Sequence, residues 1–216
     1  MNLPLIIIGG GGHAKVLAST LLLQHRSVLG FVDPNPSLPP LLGIAHLGDD
    51  SATFLYPPDQ VRLINGVGSI DSTAVRRLLY EKFRNRQYVF EIVIHPSAII
   101  APEVSIEDGV QVMAGAVVQP GSRLGSNVII NTGARVDHDC SIEAHSHIAP
   151  GAILSGDVHI GEEAHVGTGA SIIQGITVGA ASIVGAGAVV VHDVPAGATV
   201  VGVPARSIAT RIASQK

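Results

Sequence analysis

The chain has 216 residues and a formal net charge of −4 without a long basic run, which argues against nucleic acid and an anionic membrane surface as partners. Hydrophobic residues make up 46%, yet only 3% are aromatic, none is Trp and 25 are Gly, so a repetitive core of Val, Ile and Ala is expected rather than an ordinary globule. No apolar stretch reaches the roughly 18 residues that span a bilayer, the start LPLIIIGG lacks signal-peptide features, and the lone Cys140 excludes an intrachain disulfide, so a reduced cytoplasmic protein without membrane insertion is expected.

The first ninety residues read as an α/β unit. Leu5–Ile8 is a short buried strand, followed by Gly9-Gly10-Gly11-Gly12-His13 and a helical run over Ala14–Leu23. A second strand, Val28–Val32, ends at Asp33, and four prolines between positions 34 and 40 mark a loop. A third strand, Val61–Asn65, runs into Gly66-Val67-Gly68-Ser69. A helix follows, with Asp71 or Ser72 as N-cap and Val75, Leu78, Leu79 and Phe83 on its apolar face; Ile92–Ile94 closes the unit. Strand, glycine loop, helix, strand and Asp33 form the outline of a nucleotide-binding βαβ unit. The glycines admit a phosphate to the backbone, the helix N-terminus offers unpaired N–H groups, and Asp33 can accept from a ribose or base. Four adjacent glycines are not G-x-G-x-x-G, so a tight turn without a ligand is the competing reading. The unit is too small for a full NAD domain and suits a single nucleotide-sugar.

From Ile100 the texture changes. Steps of six reach Ile106, Val112, Val118, Leu124 and onward to Val190, sixteen aliphatic positions without an exception. Two places before each lies a second, mostly small row that includes Ala98, Ala116, Ser122, Cys140, Ser146 and Ala188. A period of six is neither helix nor simple strand alternation. It fits a short strand and a turn on each side of a triangular prism, with three hexapeptides, 18 residues, per coil and about five coils from Ala98 to Asp193. The expected layout is a Rossmann-like βαβ domain over residues 1–95, a parallel β-helix over 96–206 and a tail over 207–216.

The repeat resembles the hexapeptide-repeat family, whose coils wind left-handed. GGGGHAK, FVD, GVGS, then VDHDC and EAHSH within the repeat, and finally VGVPAR are together similar to the bacterial nucleotide-amino-sugar N-acetyltransferases and the sialic-acid O-acetyltransferase-like proteins beside them. The resemblance implies a homotrimer with acetyl-CoA as co-substrate in the groove between neighbouring helices and a nucleotide-linked amino-sugar in the front domain. Carried over by position, the catalytic base falls on His138 and its tuning carboxylate on Asp139. The histidine near the acetyl carbonyl falls on His147, and coenzyme contacts, largely through backbone, on Gly156, Thr168 and Ala186. Substrate contacts fall on Gly11, Gly12, His13, Asp33 and Gly68.

The residues themselves agree in part. His138 follows the inward Val136 by two places, so it stands at a turn, where a neutral imidazole beside a carboxylate can act as a general base. Cys140 lies in the inward row, where packing is its role, so direct transfer without an acyl-enzyme is expected. His145, His159 and His165 are expected at the surface or an interface; Arg76 and Arg77 follow the third-strand loop and could reach a phosphate, but are expected as solvated helix charges. The resemblance thus implies acetyl-CoA-dependent N-acetylation of a UDP- or GDP-linked 4-amino-sugar, with O-acetylation of a sialic acid or another sugar hydroxyl as the alternative. Two other classes compete. His147 and His165 lie one coil apart, the spacing of a γ-type carbonic anhydrase metal site, although no metal is expected here; and a non-catalytic sugar-nucleotide binding protein would keep the fold without coenzyme affinity.

Overall fold

The computed structural model describes residues 3–69 and 72–208. Its front unit is built on a parallel sheet of order β2-β1-β3, formed by β1 (Leu5–Ile8), β2 (Val28–Val32) and β3 (Arg62–Asn65). The central strand is aliphatic at every position and buried throughout, because both faces of a parallel sheet are covered. Helix α1 (Gly12–Leu23) starts two residues earlier than the sequence suggested, with Gly11 as its N-cap.

Helix α2 (Ala74–Arg84) corrects two expectations. Asp71 lies outside the described residues and Thr73 is the N-cap; Ser72 accepts from the Ala74 N–H at 3.1 Å, and the Thr73 hydroxyl donates to the Glu163 carbonyl at 3.1 Å. The expected apolar face is also rotated. Arg76, Tyr80 and Phe83 are buried while Val75 and Leu78 stay exposed. The helix is docked onto the repeat through Arg76 and Thr73, and that contact outweighs its own pattern of apolar residues.

The repeat folds into a three-faced parallel solenoid. Face one carries Val93–Ile94, Gln111–Val112, Ile129–Ile130, His147–Ile148, His165–Val166 and Ile183–Val184; face two runs from Ile99–Ile100 to Val189–Val190; face three from Ser105–Ile106 to Thr177–Val178. Each strand pairs with the one 18 residues on, as Ile129 with His147 and Ile130 with Ile148. Both predicted inward rows pack into one continuous core. Positive φ recurs every sixth residue, at Gly121, Asn127, Gly133, Asp139 and beyond, which is why small or Asx residues crowd the corners.

The solenoid has about six turns instead of the expected five. The strand at Val93–Ile94, expected to close the front sheet, instead opens face one by pairing with Gln111–Val112. The segment just before it runs beside β3, where Phe90 bridges Leu63. Ile94 continues the six-residue aliphatic row backwards, so the repeat's own signal extends one step before Ile100. The front unit covers face one, and its residues there, including Gln111, Ile129, His147 and His165, are buried.

Candidate active site

Gly11, Gly12, His13, Asp33, Gly68 and His147 line one cavity of about 680 Å³ between the front unit and the solenoid. Its glycines differ in what they do. A Cβ on Gly9, Gly10 or Gly66 would run into neighbouring side chains, so packing alone explains them. A Cβ on Gly11 or Gly12 would meet nothing within 4 Å. Their bareness keeps the N-terminus of α1 open to the cavity, the geometry that receives anions.

The side chains around the cavity have fixed proton positions. Gln111 donates through Nε2 to the Asn65 carbonyl at 2.8 Å, so its Oε1 accepts from His13 Nε2–H at 2.7 Å. Burial, with the nearby Arg76 charge, lowers the His13 pKa to about 4 against the opposing pull of Gln111. His13 is therefore neutral, with Nδ1 as an acceptor. Asp33 accepts from the Gly10 N–H at 2.8 Å and from the Asn35 N–H at 2.9 Å, so its carboxylate shapes the glycine loop as well as facing the cavity.

His147 is held on both sides. Asn131 Oδ1 accepts from the Thr132 N–H at 2.8 Å, which leaves Asn131 Nδ2 to donate to His147 Nε2 at 3.0 Å. The ring proton is then on Nδ1 and is donated to Ser69 Oγ at 2.6 Å. Burial, with the charges of His165, His13 and Arg76, pushes this imidazole well below the ordinary histidine range. His165 lies one coil further along the same face, its ring edge-on to His147 at 5.0 Å, and its Nδ1 is 3.5 Å from the same Ser69 hydroxyl. Among the described residues no group of His, Cys, Asp and Glu is assembled as a metal site.

A second cavity, of about 430 Å³, shares Ser69, Asn131, His147 and Pro150 with the first and continues past Thr168 and Ala186. A third shares Gly12 and Val16 with the first and extends to Lys15, His95 and Ala114. Ala114, Thr132, Pro150, Thr168 and Ala186 are each 18 residues apart, so the three cavities form one groove along the corner between faces one and two. Gly167, Gly169, Gly185 and Gly187 spend their N–H groups on coil-to-coil hydrogen bonds; those of Thr168 and Ala186 make none of these.

His138, Asp139 and Gly156 stand elsewhere, on the corner between faces two and three. His138 Nδ1 donates to Asp139 Oδ2 at 2.8 Å, which leaves Nε2 bare. The Asp139 hydrogen bond raises the imidazole pKa; desolvation opposes it, and the charges of Asp137, Asp139 and Asp157 add to the rise. The left-handed backbone at Asp139, φ 61°, turns its carboxylate towards the ring. The coils above and below make room for the pair. A Cβ on Gly156 would land on the imidazole, and one on Gly121 would land on the Asp139 carboxylate. Side-chain exposure is 51% for His138 and 66% for Asp139, so the pair faces outward.

Several expectations are corrected. Arg76 is not a solvated charge: it is fully buried, and burial lowers its pKa to about 9. Arg77 is paired with Glu81 and Glu163, at 2.8 and 3.0 Å. His145 and His165 are buried, because the front unit covers their part of the prism; His159 is exposed. Sequence reasoning missed Ser69 and Asn131. Ser69 closes the GVGS motif, but only the tertiary fold brings it 78 positions along the chain to His147.

A hexapeptide solenoid joined to a glycine-loop α/β unit, with an exposed His–carboxylate pair, defines a hexapeptide-repeat transferase with a front nucleotide-type domain. Residues 4–83 match the family described as the PglD N-terminal domain, and residues 103–138 match the bacterial transferase hexapeptide repeats. No curated protein sequence matches the chain. Among solved structures, PerB from Caulobacter crescentus in complex with CoA and GDP-perosamine is 41% identical, with 95% of this chain and 97% of that one covered and a TM-score of 0.89. The acetyltransferase domain of PglB from Neisseria gonorrhoeae in complex with acetyl coenzyme A is 39% identical over 96% and 100% of the two chains, with a TM-score of 0.91. WeeI from Acinetobacter baumannii is 27% identical over 96% and 100%, with a TM-score of 0.85. The chain belongs to the nucleotide-amino-sugar N-acetyltransferase family of hexapeptide-repeat proteins, and its solenoid is their left-handed β-helix.

Proposed function

We propose that this protein transfers the acetyl group of acetyl-CoA to the amino group of a nucleotide-linked amino-sugar, in a site completed by a second copy of the chain. One observation carries the reading. The cavity under the glycine loop and the bare Nε2 of His138 belong to the same level of the solenoid but to different corners of it. One chain cannot bring them together, whereas the next copy around a threefold axis can. Face two, which lies between those corners, exposes Ile99 at 66% and Ile153 at 42%, as a surface buried between copies would. PerB and PglB, with CoA, GDP-perosamine and acetyl coenzyme A bound, support the choice of donor and acceptor.

In this reading the N-terminus of α1, opened by Gly11 and Gly12, receives the diphosphate, and His13, Asp33 and Gly68 frame the nucleotide. Acetyl-CoA lies along the groove, with the outward N–H groups of Thr168 and Ala186 donating to its amide carbonyls. The sugar amine attacks the thioester carbon, forming the C–N bond. His138 Nε2 takes the amine proton, and Asp139 stabilises the imidazolium. Collapse of the tetrahedral intermediate breaks the C–S bond, and the leaving thiolate takes the proton from His138. His147 borders both cavities where the acetyl carbon would sit. Its ring proton is committed to Ser69, so oxyanion stabilisation falls to a backbone N–H in this state. No acyl-enzyme is needed: Cys140 is buried in the inward row, and burial pushes its thiol pKa up.

The activity is tested by thiol release from acetyl-CoA against UDP- and GDP-linked 4-amino-sugars. Silence across the panel refutes N-acetylation, and release with a hydroxyl acceptor alone replaces it with O-acetylation. The shared site is tested by mixing two inactive variants, His138→Ala and Gly12→Trp, the second filling the cavity. Random trimers of a 1:1 mixture regain about one quarter of wild-type sites, each pairing the intact cavity of one chain with the intact histidine of another. A mixture as inactive as its parents refutes a site built from two copies.

A further inference from the structure

A fully buried guanidinium is normally matched by a carboxylate, because an unpaired charge in a low-dielectric interior is costly. Arg76 has no such match among the described residues. Its Nη1 donates to the carbonyls of Asn65 and Val67 at 2.9 and 2.8 Å, and its Nε to that of Asn127 at 3.2 Å; Nη2 has no partner among the described residues. The adjacent Arg77 shows the usual arrangement, with two glutamates.

The position of Arg76 relates it to the cavity. The carbonyls it holds belong to Asn65 and Val67, on either side of Gly66, and Gly66, Val67 and Gly68 form one wall of the cavity. The Asn65 carbonyl also accepts from Gln111, which holds His13 beside Gly68. The charge thus lies behind the loop that faces the bound molecule and does not line the cavity itself. In that setting it acts over a longer range than it would in water, and solvent screens it little.

We propose that Arg76 is the buried countercharge of the nucleoside diphosphate, attracting it from behind the Gly66–Gly68 loop and fixing that loop through the Val67 carbonyl. The inference rests on the nucleotide-sugar reading given above. It makes Arg76 a positioning and affinity residue that touches no reacting atom.

The test separates charge from packing. Binding of guanosine, GMP and GDP, and of uridine, UMP and UDP, is measured by calorimetry for wild type, Arg76→Met and Arg76→Lys, alongside urea denaturation without ligand. For the base that wild type prefers, Arg76→Met weakens the diphosphate by about tenfold or more, the monophosphate less and the nucleoside little. The same variant loses some stability, because the Val67 and Asn127 carbonyls lose their donor, so binding is compared at a temperature where both proteins are fully folded. Arg76→Lys, which keeps the charge and loses the fork, preserves the ratio of diphosphate to nucleoside affinity. Equal weakening of all three ligands in Arg76→Met, or a collapsed ratio in Arg76→Lys, overturns the inference and leaves a structural clamp. Wild type that binds none of the six overturns the nucleotide reading as well.

Discussion

Replacing His13 with Gln removes a buried titrating group while keeping a donor where Nε2 meets Gln111. His13 titrates near 4 in the folded protein instead of at 6.5, chiefly because burial penalises its charged form. Above pH 6.5 it is neutral in both the folded and the unfolded chain and adds no pH dependence. As the pH falls from 6.5 towards 4, the unfolded chain binds a proton that the folded chain refuses, so stability is lost across that window. The full difference between 6.5 and about 4 integrates to about 3 kcal/mol, at about 1.4 kcal/mol per pH unit. Below that window both states are protonated and the loss stops growing. The assay is urea denaturation of wild type and His13→Gln at steps from pH 7.5 to 4, repeated at two protein concentrations so that dissociation is seen as such. His145 and His147 are shifted in the same direction and are common to both proteins, so they cancel in the comparison apart from the part of the His147 shift that the His13 charge supplies, which is smaller than the effect of its burial. Wild type should lose more stability than the variant, by an amount that approaches about 3 kcal/mol near pH 4. Parallel curves would show that His13 is solvated, or protonated in the fold, and would remove the argument for Nδ1 as an acceptor in the cavity.

Three further outcomes follow from the geometry. His138→Ala should lower turnover by about 10²–10⁴-fold, and the acid limb of kcat/KM in wild type should lie above 6.5; Asp139→Asn should move that limb to lower pH, and an unmoved limb would break the pairing of the two residues. Gly156→Ala, whose new Cβ would overlap the imidazole, should cost about 10- to 100-fold in turnover by displacing the base with little change in global unfolding, and near-normal turnover would mean that the His138 position is not critical. Cys140→Ser should leave turnover intact, because its thiol meets the Ser155 carbonyl at 3.2 Å just as Ser122 and Ser146 meet the Asp137 and Gly161 carbonyls, each 15 residues on; inactivity in a stable variant would bring back a covalent route.

The amino-acid sequence alone determined the solenoid. A six-residue aliphatic row is a local, periodic signal, and every coil repeats it, so Ile100 to Val190 could be assigned to the interior without knowing any long-range contact. The glycine loop, the turn at His138 and the packing role of Cys140 were legible for the same reason: each depends on neighbours a few residues away. Other features were decided only by the docking of one unit on the other. The apolar pattern of α2 pointed to Val75 and Leu78, but the contact with the solenoid turned Arg76 inward instead. The tautomer of His147 depends on Ser69 and Asn131, which local periodicity does not link. The distribution of the site over two corners of the prism follows from the stacking of 18-residue coils. Periodicity reports which side of its own backbone a residue faces; which surface then covers that side is set by contacts between segments far apart in the chain, and only the tertiary structure holds those.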